Sequence, residues 1–217
     1  MKTIIKICGN RCFEDVLTCI ELDIPYIGFI FADSKRNVQP IDVQSWIQKI
    51  QSKHKSKFVG VFVNPSIKQL DDVLSKVDLD VIQLHGNEAP SFLNEVRKNF
   101  PLEIWKALHH YQGILDEMKK YMPFIDGFVI DSKVNGQWGG TGISFDWRDV
   151  PIYTKLAKEH NKYCLIAGGI HPENVELLLQ KNVTGIDLAS GVEKNNRKCR
   201  TLIQMLVERV NGYEAIS

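Results

Sequence analysis

Two apolar runs of the chain end in side chains able to move protons. Thr3-Ile4-Ile5-Lys6-Ile7-Cys8-Gly9 ends in a cysteine, and Gly127-Phe128-Val129-Ile130-Asp131-Ser132, more than a hundred residues later, in an aspartate. A thiolate can take a proton and a protonated carboxyl can give one, so the pair suggests a base and an acid on one rim. Both runs have the length and β-branched content of buried parallel strands, and in a β/α barrel catalytic groups project from the C-terminal strand ends. Glycine clusters follow two later runs, as Gly168-Gly169 and Ser190-Gly191-Val192-Glu193, and a third, Gly139-Gly140-Thr141-Gly142, follows the Asp131 run itself. Glycine lets backbone N–H groups approach an anion closely, and barrels often bind phosphate after their last two strands. A phosphorylated small molecule is the implied ligand, with Gly136 and Gly140 as candidate hinges for a closing loop.

Such groups need a barrel to bring them together. Eight short β-rich runs, at 3–8, 26–31, 57–63, 80–85, 102–107, 126–131, 163–167 and 185–190, alternate with eight helical patterns, with no linker or low-complexity segment between them. Phe13, Val16, Leu17 and Ile20 mark the first helix; Val43, Trp46, Ile47 and Ile50 the second; Ile67, Leu70, Leu74 and Val77 the third. Ile152 and Leu156 form a weaker sixth stripe, and Cys199, Leu202, Ile203, Leu206 and Val210 the eighth. Ser66 suits the cap of the third helix, and Pro172 the first turn of the seventh. Unbroken βα units favour an α/β fold of the closed (β/α)8 TIM-barrel type over an open doubly wound sheet, expected as a single domain over 1–217.

Residues two apart on a strand share a face. Lys6 and Cys8 then point into the barrel while Ile5 and Ile7 meet the helices. The same alternation aims Gln83 and His85, Asp131 with Gly127 and Val129, and Asp187 with Ala189 at one cavity. Asp126 falls at the start of the sixth strand, on the end of the barrel where polar residues serve stability.

Composition narrows the classes. With 217 residues, 44% hydrophobic and 24% charged, the chain can bury one sizeable core. A formal charge of +1 gives no general footprint for nucleic acid. No run approaches the roughly 20 apolar residues of a membrane span, and the start is too short for a signal peptide, so a cytoplasmic protein is expected. Five scattered cysteines without a CxxC pair argue for reduced thiols and against a structural zinc site.

Read together, Lys6-Ile7-Cys8-Gly9 with Glu14-Asp15, Ser34-Lys35-Arg36, Gln83-Leu84-His85-Gly86, Asp131 with Gly139-Gly140-Thr141-Gly142 and Phe145-Asp146-Trp147, Ala167-Gly168-Gly169-Ile170, and Asp187 with Ser190-Gly191-Val192-Glu193 resemble the phosphoribosylanthranilate isomerases of tryptophan biosynthesis. The likeness runs in order over nearly the whole chain. It departs at Asn10, where an apolar residue is usual, at Ile143, where a basic one often follows the glycine loop, and at Ala189, where a small polar one is common.

The resemblance implies an Amadori rearrangement of an aminoaldose phosphate to an aminoketose. Asp131 would be the general acid, protonated when substrate binds, and Cys8 the general base. At an ordinary cysteine pKa only about 3% would be thiolate at pH 7, so a cation nearby would help, and Lys6 shares its strand face. Arg36 would hold the anthranilate carboxylate. His85 and Asp187 would touch substrate, and Gly142, Gly168, Gly169, Ser190 and Gly191 the phosphate. No metal or other cofactor is expected. The partner is the small phosphoribosyl substrate, with no nucleic acid or membrane, and a monomer is expected in preference to a homodimer.

Each residue also has a plainer reading. Cys8 alone is a small buried hydrophobe, as Cys19, Cys164 and Cys199 are taken to be, and only its strand-end place beside Gly9 and the resemblance reverse this. Lys6 alone is a structural ion-pair partner, His85 a rim histidine, Arg36 a surface charge, and His109-His110 a solvated loop. Trp138 is either a lid residue or a loop anchor. Competing functions are the related isomerase of histidine biosynthesis, which would carry an aspartate in place of Cys8, a metal-dependent pentose-phosphate epimerase, and a catalytically silent phosphosugar-binding barrel.

Overall fold

The computed structural model describes residues 2–51, 53–131 and 146–216. The apolar runs become β1 (Ile4–Ile7), β2 (Tyr26–Ile30), β3 (Lys57–Phe62), β4 (Val81–Leu84), β5 (Glu103–His109), β6 (Gly127–Asp131), β7 (Tyr163–Ala167) and β8 (Gly185–Leu188). They pair in parallel in chain order, and β1 bonds to both β2 and β8, so the sheet closes into a barrel instead of staying open. Between and after them come α1 (Phe13–Glu21), α2 (Pro40–Lys49), α3 (Ile67–Leu74), α4 (Pro90–Asn99), α5 (Ile114–Tyr121), α6 (Val150–Glu159), α7 (Val175–Leu179) and α8 (Arg200–Ile216). A short antiparallel hairpin, β9 (Glu193–Lys194) with β10 (Arg197–Lys198), precedes α8 and has no counterpart in the sequence pattern. No helix of the described residues is long and apolar enough to cross a membrane.

Strand alternation divides the core into two layers. Outward residues such as Ile5, Ile7, Ile82, Leu84, Ile186 and Leu188 pack under the helices. Inward residues, among them Val59, Val61, Val81, Trp105, Val129 and Leu165, fill the barrel. Trp105 and Tyr26, with ring centroids 4.8 Å apart, fill it near the N-terminal end and leave the other end open for polar groups.

Helix starts follow backbone chemistry. Ser66 and Gln69 form a capping box on α3, with bonds of 3.2 and 2.8 Å, and prolines occupy the first turn of α2, α4 and α6, where a missing N–H breaks no bond. Pro172 does not: α7 begins at Val175, and Pro172 lies in the turn ahead of it. The weak sixth stripe is also corrected. Ile152 is half exposed, and α6 buries Val150, Tyr153, Thr154 and Ala157 instead, Thr154 returning its hydroxyl to Val150 O at 2.6 Å.

One outward strand residue is charged. Lys106 on β5 is buried with Glu88, Nζ to Oε2 2.9 Å, and also donates to Gly86 O at 2.7 Å. Glu88 in turn accepts from the backbone N–H groups of Gly86 and Asn64, tying the loops after β3 and β4 together. Removing one member strands the other in a low dielectric, so Lys106→Met should cost about 3–5 kcal/mol of stability. Urea unfolding should show a lower midpoint with an unchanged slope.

Candidate active site

β1 and β4 stop one residue short of the expected ends, so Cys8 and His85 are the first residues of loops at the C-terminal rim. β5 runs further than expected, to His109, and β8 ends at Leu188, with Ser190–Val192 forming a single 3-10 turn. Cys8, Arg36, His85, Asp131 and Asp187 all line one cavity at this rim. So do Gly168, Gly169, Ser190 and Gly191 from the loops after β7 and β8. Gly142 lies outside the described residues, as do Gly136, Trp138, Gly139, Gly140, Thr141 and Ile143.

Lys6 and Asp187 are register neighbours on β1 and β8, both facing inward, and their side chains form a buried ion pair at 2.8 Å. Burial alone would lower the Lys6 pKa, but Asp187 and Cys8 outweigh it and hold the ammonium above its ordinary value. The second Asp187 oxygen, Oδ1, is buried and has no hydrogen-bond partner among the described residues. The cation expected beside Cys8 is therefore there. It does not win: burial pushes the Cys8 thiol above its ordinary value, against Lys6 and Lys198, which pull it down.

The chain leaves Cys8 by a turn only glycine makes cheaply. Gly9 has φ +73, and a Cβ there would sit 2.5 Å from Arg36 Cδ, so the Arg36 stem lies across the end of β1. Asn10, the departure from the usual apolar residue, is fully buried and donates Nδ2 to Ile7 O at 2.9 Å and Gly28 O at 3.0 Å, stitching β1 to β2 behind the cysteine.

Arg36 is not a surface charge. It is 4% exposed, and its Nε and Nη2 donate to the two carboxylate oxygens of Glu193 at 2.9 and 2.8 Å. Lys198 Nζ donates to Glu193 Oε1 at 2.9 Å and to Ala189 O at 3.0 Å. Burial would raise the Glu193 pKa, but hydrogen bonds and charge from Arg36 and Lys198 lower it to about 2. Burial lowers that of Lys198, with Glu193 opposing. Sequence reasoning missed Glu193 as the Arg36 partner and Lys198 altogether; the signal would have been a buried arginine's need for a counter-ion.

Across the cavity Asp131 is 3% exposed, and its Oδ2 lies 3.5 Å from His85 Nε2. Gln83 Nε2 stands 3.3 Å from His85 Nδ1. With the amide donating there, the ring proton sits on Nε2 and faces the carboxylate. His109 and His110 are not a solvated loop. His109 closes β5 opposite Asp131 in register, its ring 6.0 Å from that of His85, and His110 Nδ1 is 2.8 Å from Tyr153 OH. Asp126 keeps to the other end, bonding Arg97 and the Ile104 N–H. Cys19 and Cys164 are core residues and Cys199 is half-buried; all five cysteines are free.

The two glycine loops meet. Gly168 and Gly169 have φ +87 and +65, and Gly191 packs so closely on the neighbouring loop that a Cβ would fall 1.8 Å from Ile170 O. Among the described residues no group of three His, Cys, Asp or Glu side chains is placed to hold a metal ion.

Fold and site together define a (β/α)8-barrel enzyme whose polar side chains converge on the C-terminal mouth. The model of the N-(5'-phosphoribosyl)anthranilate (PRA) isomerase family matches residues 5–209. An N-(5'-phosphoribosyl)anthranilate isomerase of Bacillus velezensis is 48% identical over 213 residues, 98% of this chain and 97% of that protein. The crystal structure of phosphoribosyl anthranilate isomerase from Thermotoga maritima superposes with a TM-score of 0.83 at 28% identity, covering 98% of this chain and all of that one. Another structure of such an isomerase, in complex with reduced 1-(o-carboxyphenylamino)-1-deoxyribulose 5-phosphate, has a TM-score of 0.80 at 27% identity over 98% of this chain and 100% of that one. The chain belongs to the N-(5'-phosphoribosyl)anthranilate isomerase family.

Proposed function

We propose that the chain, as a single catalytic domain, converts N-(5-phosphoribosyl)anthranilate into 1-(2-carboxyphenylamino)-1-deoxyribulose 5-phosphate in tryptophan biosynthesis, with Asp131 as general acid and Cys8 as general base. The observation that carries this reading is that Cys8 and Asp131, from opposite parts of the chain, line one cavity with Arg36, Asp187 and both glycine loops.

Asp131 gives its proton to the ribose ring oxygen as the C1′–O bond breaks and the anilino nitrogen donates its lone pair, leaving an iminium. The iminium acidifies C2′–H, and the Cys8 thiolate takes that proton to give an enolamine. C1′ then gains a proton and the C2′ hydroxyl loses one, which yields the ketone. No electrons leave the substrate. Arg36 holds the anthranilate carboxylate, while Asp187, through its unpartnered Oδ1, and His85 bond the sugar hydroxyls. The backbone N–H groups of Gly168, Gly169, Ser190 and Gly191, together with Gly142, hold the phosphate.

The test is the loss of fluorescence of freshly made N-(5-phosphoribosyl)anthranilate on adding purified protein with EDTA present. Decay far above spontaneous breakdown is expected; decay at the spontaneous rate would remove the reading. The phosphate assignment is tested separately. Gly191→Ala must push two loops apart, and a misplacement of that size should cost about 100-fold in kcat/KM. Inorganic phosphate should also weaken as a competitive inhibitor.

A further inference from the structure

We propose that Glu193 is a positioning residue for recognition of the substrate's carboxylate, and that Lys198 supplies the counter-charge that keeps the Arg36 pocket cationic. The inference rests on the reading that Arg36 binds that carboxylate. A guanidinium offers two bidentate edges, Nε with Nη2 and Nη1 with Nη2. Glu193 occupies the first, at 2.9 and 2.8 Å, and among the described residues nothing accepts from Nη1. The stem is pinned against Gly9, so gripping one edge fixes where the other points, and Arg36 lines the cavity.

Charge counting gives Lys198 its part. An Arg36–Glu193 pair alone carries no net charge and attracts an anion only as a dipole. Lys198 Nζ donates to both Glu193 and the Ala189 carbonyl, as an ammonium does, so with Lys198 the buried trio carries one net positive charge, beside the self-compensated Lys6–Asp187 pair. An incoming carboxylate neutralises it. Lys198 is held for this by the hairpin: its backbone N–H reaches Asp15 Oδ1 at 3.3 Å, and Asp15 Oδ2 accepts from the Arg11 N–H at 3.0 Å in the loop after β1.

The experiment compares, by calorimetry, reduced 1-(o-carboxyphenylamino)-1-deoxyribulose 5-phosphate with its phenylamino counterpart lacking the carboxylate. Wild type should prefer the first, and Arg36→Met should abolish the preference. Glu193→Gln and Lys198→Met should each shrink it about 10- to 100-fold through the carboxylated ligand alone, as expected for weakened charge-assisted bonds. The second ligand should bind as to wild type. Equal losses for both ligands, or a preference kept within two-fold, overturns the proposal. If Glu193→Gln fails to fold, Lys198→Met is judged by the same criteria. Absence of any preference in wild type, or its survival in Arg36→Met, overturns the Arg36 reading and this proposal with it.

Discussion

Asp131→Asn is expected to lower kcat by about 100- to 10,000-fold, the usual contribution of a positioned general acid. The amide keeps the size and hydrogen-bonding shape of the carboxyl at a site that is 3% exposed and 3.5 Å from the His85 ring, so the fold and the mouth should be preserved. What is lost is the proton for the ring oxygen. KM should change little, because the acid acts as the C–O bond breaks and not in holding the phosphate or the carboxylate. Steady-state rates of substrate fluorescence loss, with thermal melts of both proteins, separate the two effects. Turnover within a few-fold of wild type would remove Asp131 from the acid role. Asp126→Asn is the control, since Asp126 bonds Arg97 and the Ile104 N–H at the far end of β6; it should lose stability and keep kcat.

The difference between these two aspartates was legible in the sequence, because strand direction alone puts one at each end of β6. Alternation with period two likewise assigned Lys6, Cys8, Gln83 and Asp187 to the interior, where an apolar neighbour on each side marks the helix-facing set. Pattern failed where neighbours in sequence are not neighbours in space. Arg36 and Glu193 are 157 residues apart, and no local periodicity links them, so pattern alone made Arg36 a surface charge and only the resemblance gave it a role, without its Glu193 partner. His109 was lost because β5 continues two residues beyond its apolar run, held by pairing with β6. Ile152 was misassigned because two apolar residues cannot fix the phase of a helix whose buried face is made by Val150, Tyr153, Thr154 and Ala157.

The cysteine makes the last expectation the sharpest. Cys8→Ala should reduce kcat/KM by about 100- to 10,000-fold, the usual contribution of a positioned base. Lys6 and Asp187 are committed to each other, and Lys198 to Glu193. The wild-type pH profile carries the same information. Burial raises the Cys8 thiol above its ordinary value despite the two lysines, so the free enzyme at neutral pH holds the proton its mechanism must shed. A base that works as thiolate then gives a kcat/KM that climbs with pH through the neutral range. Lys6→Met, by removing the foremost opposing charge, should push the ascending limb to still higher pH. The sign is fixed by charge: a lost cation disfavours thiolate, whereas losing the negative Asp187 would favour it. A profile flat from pH 6 to 9, or one that moves down in Lys6→Met, would take the base role away from Cys8. A shift up in Lys6→Met, together with collapse of activity in Cys8→Ala, would tie the limb to this one thiol.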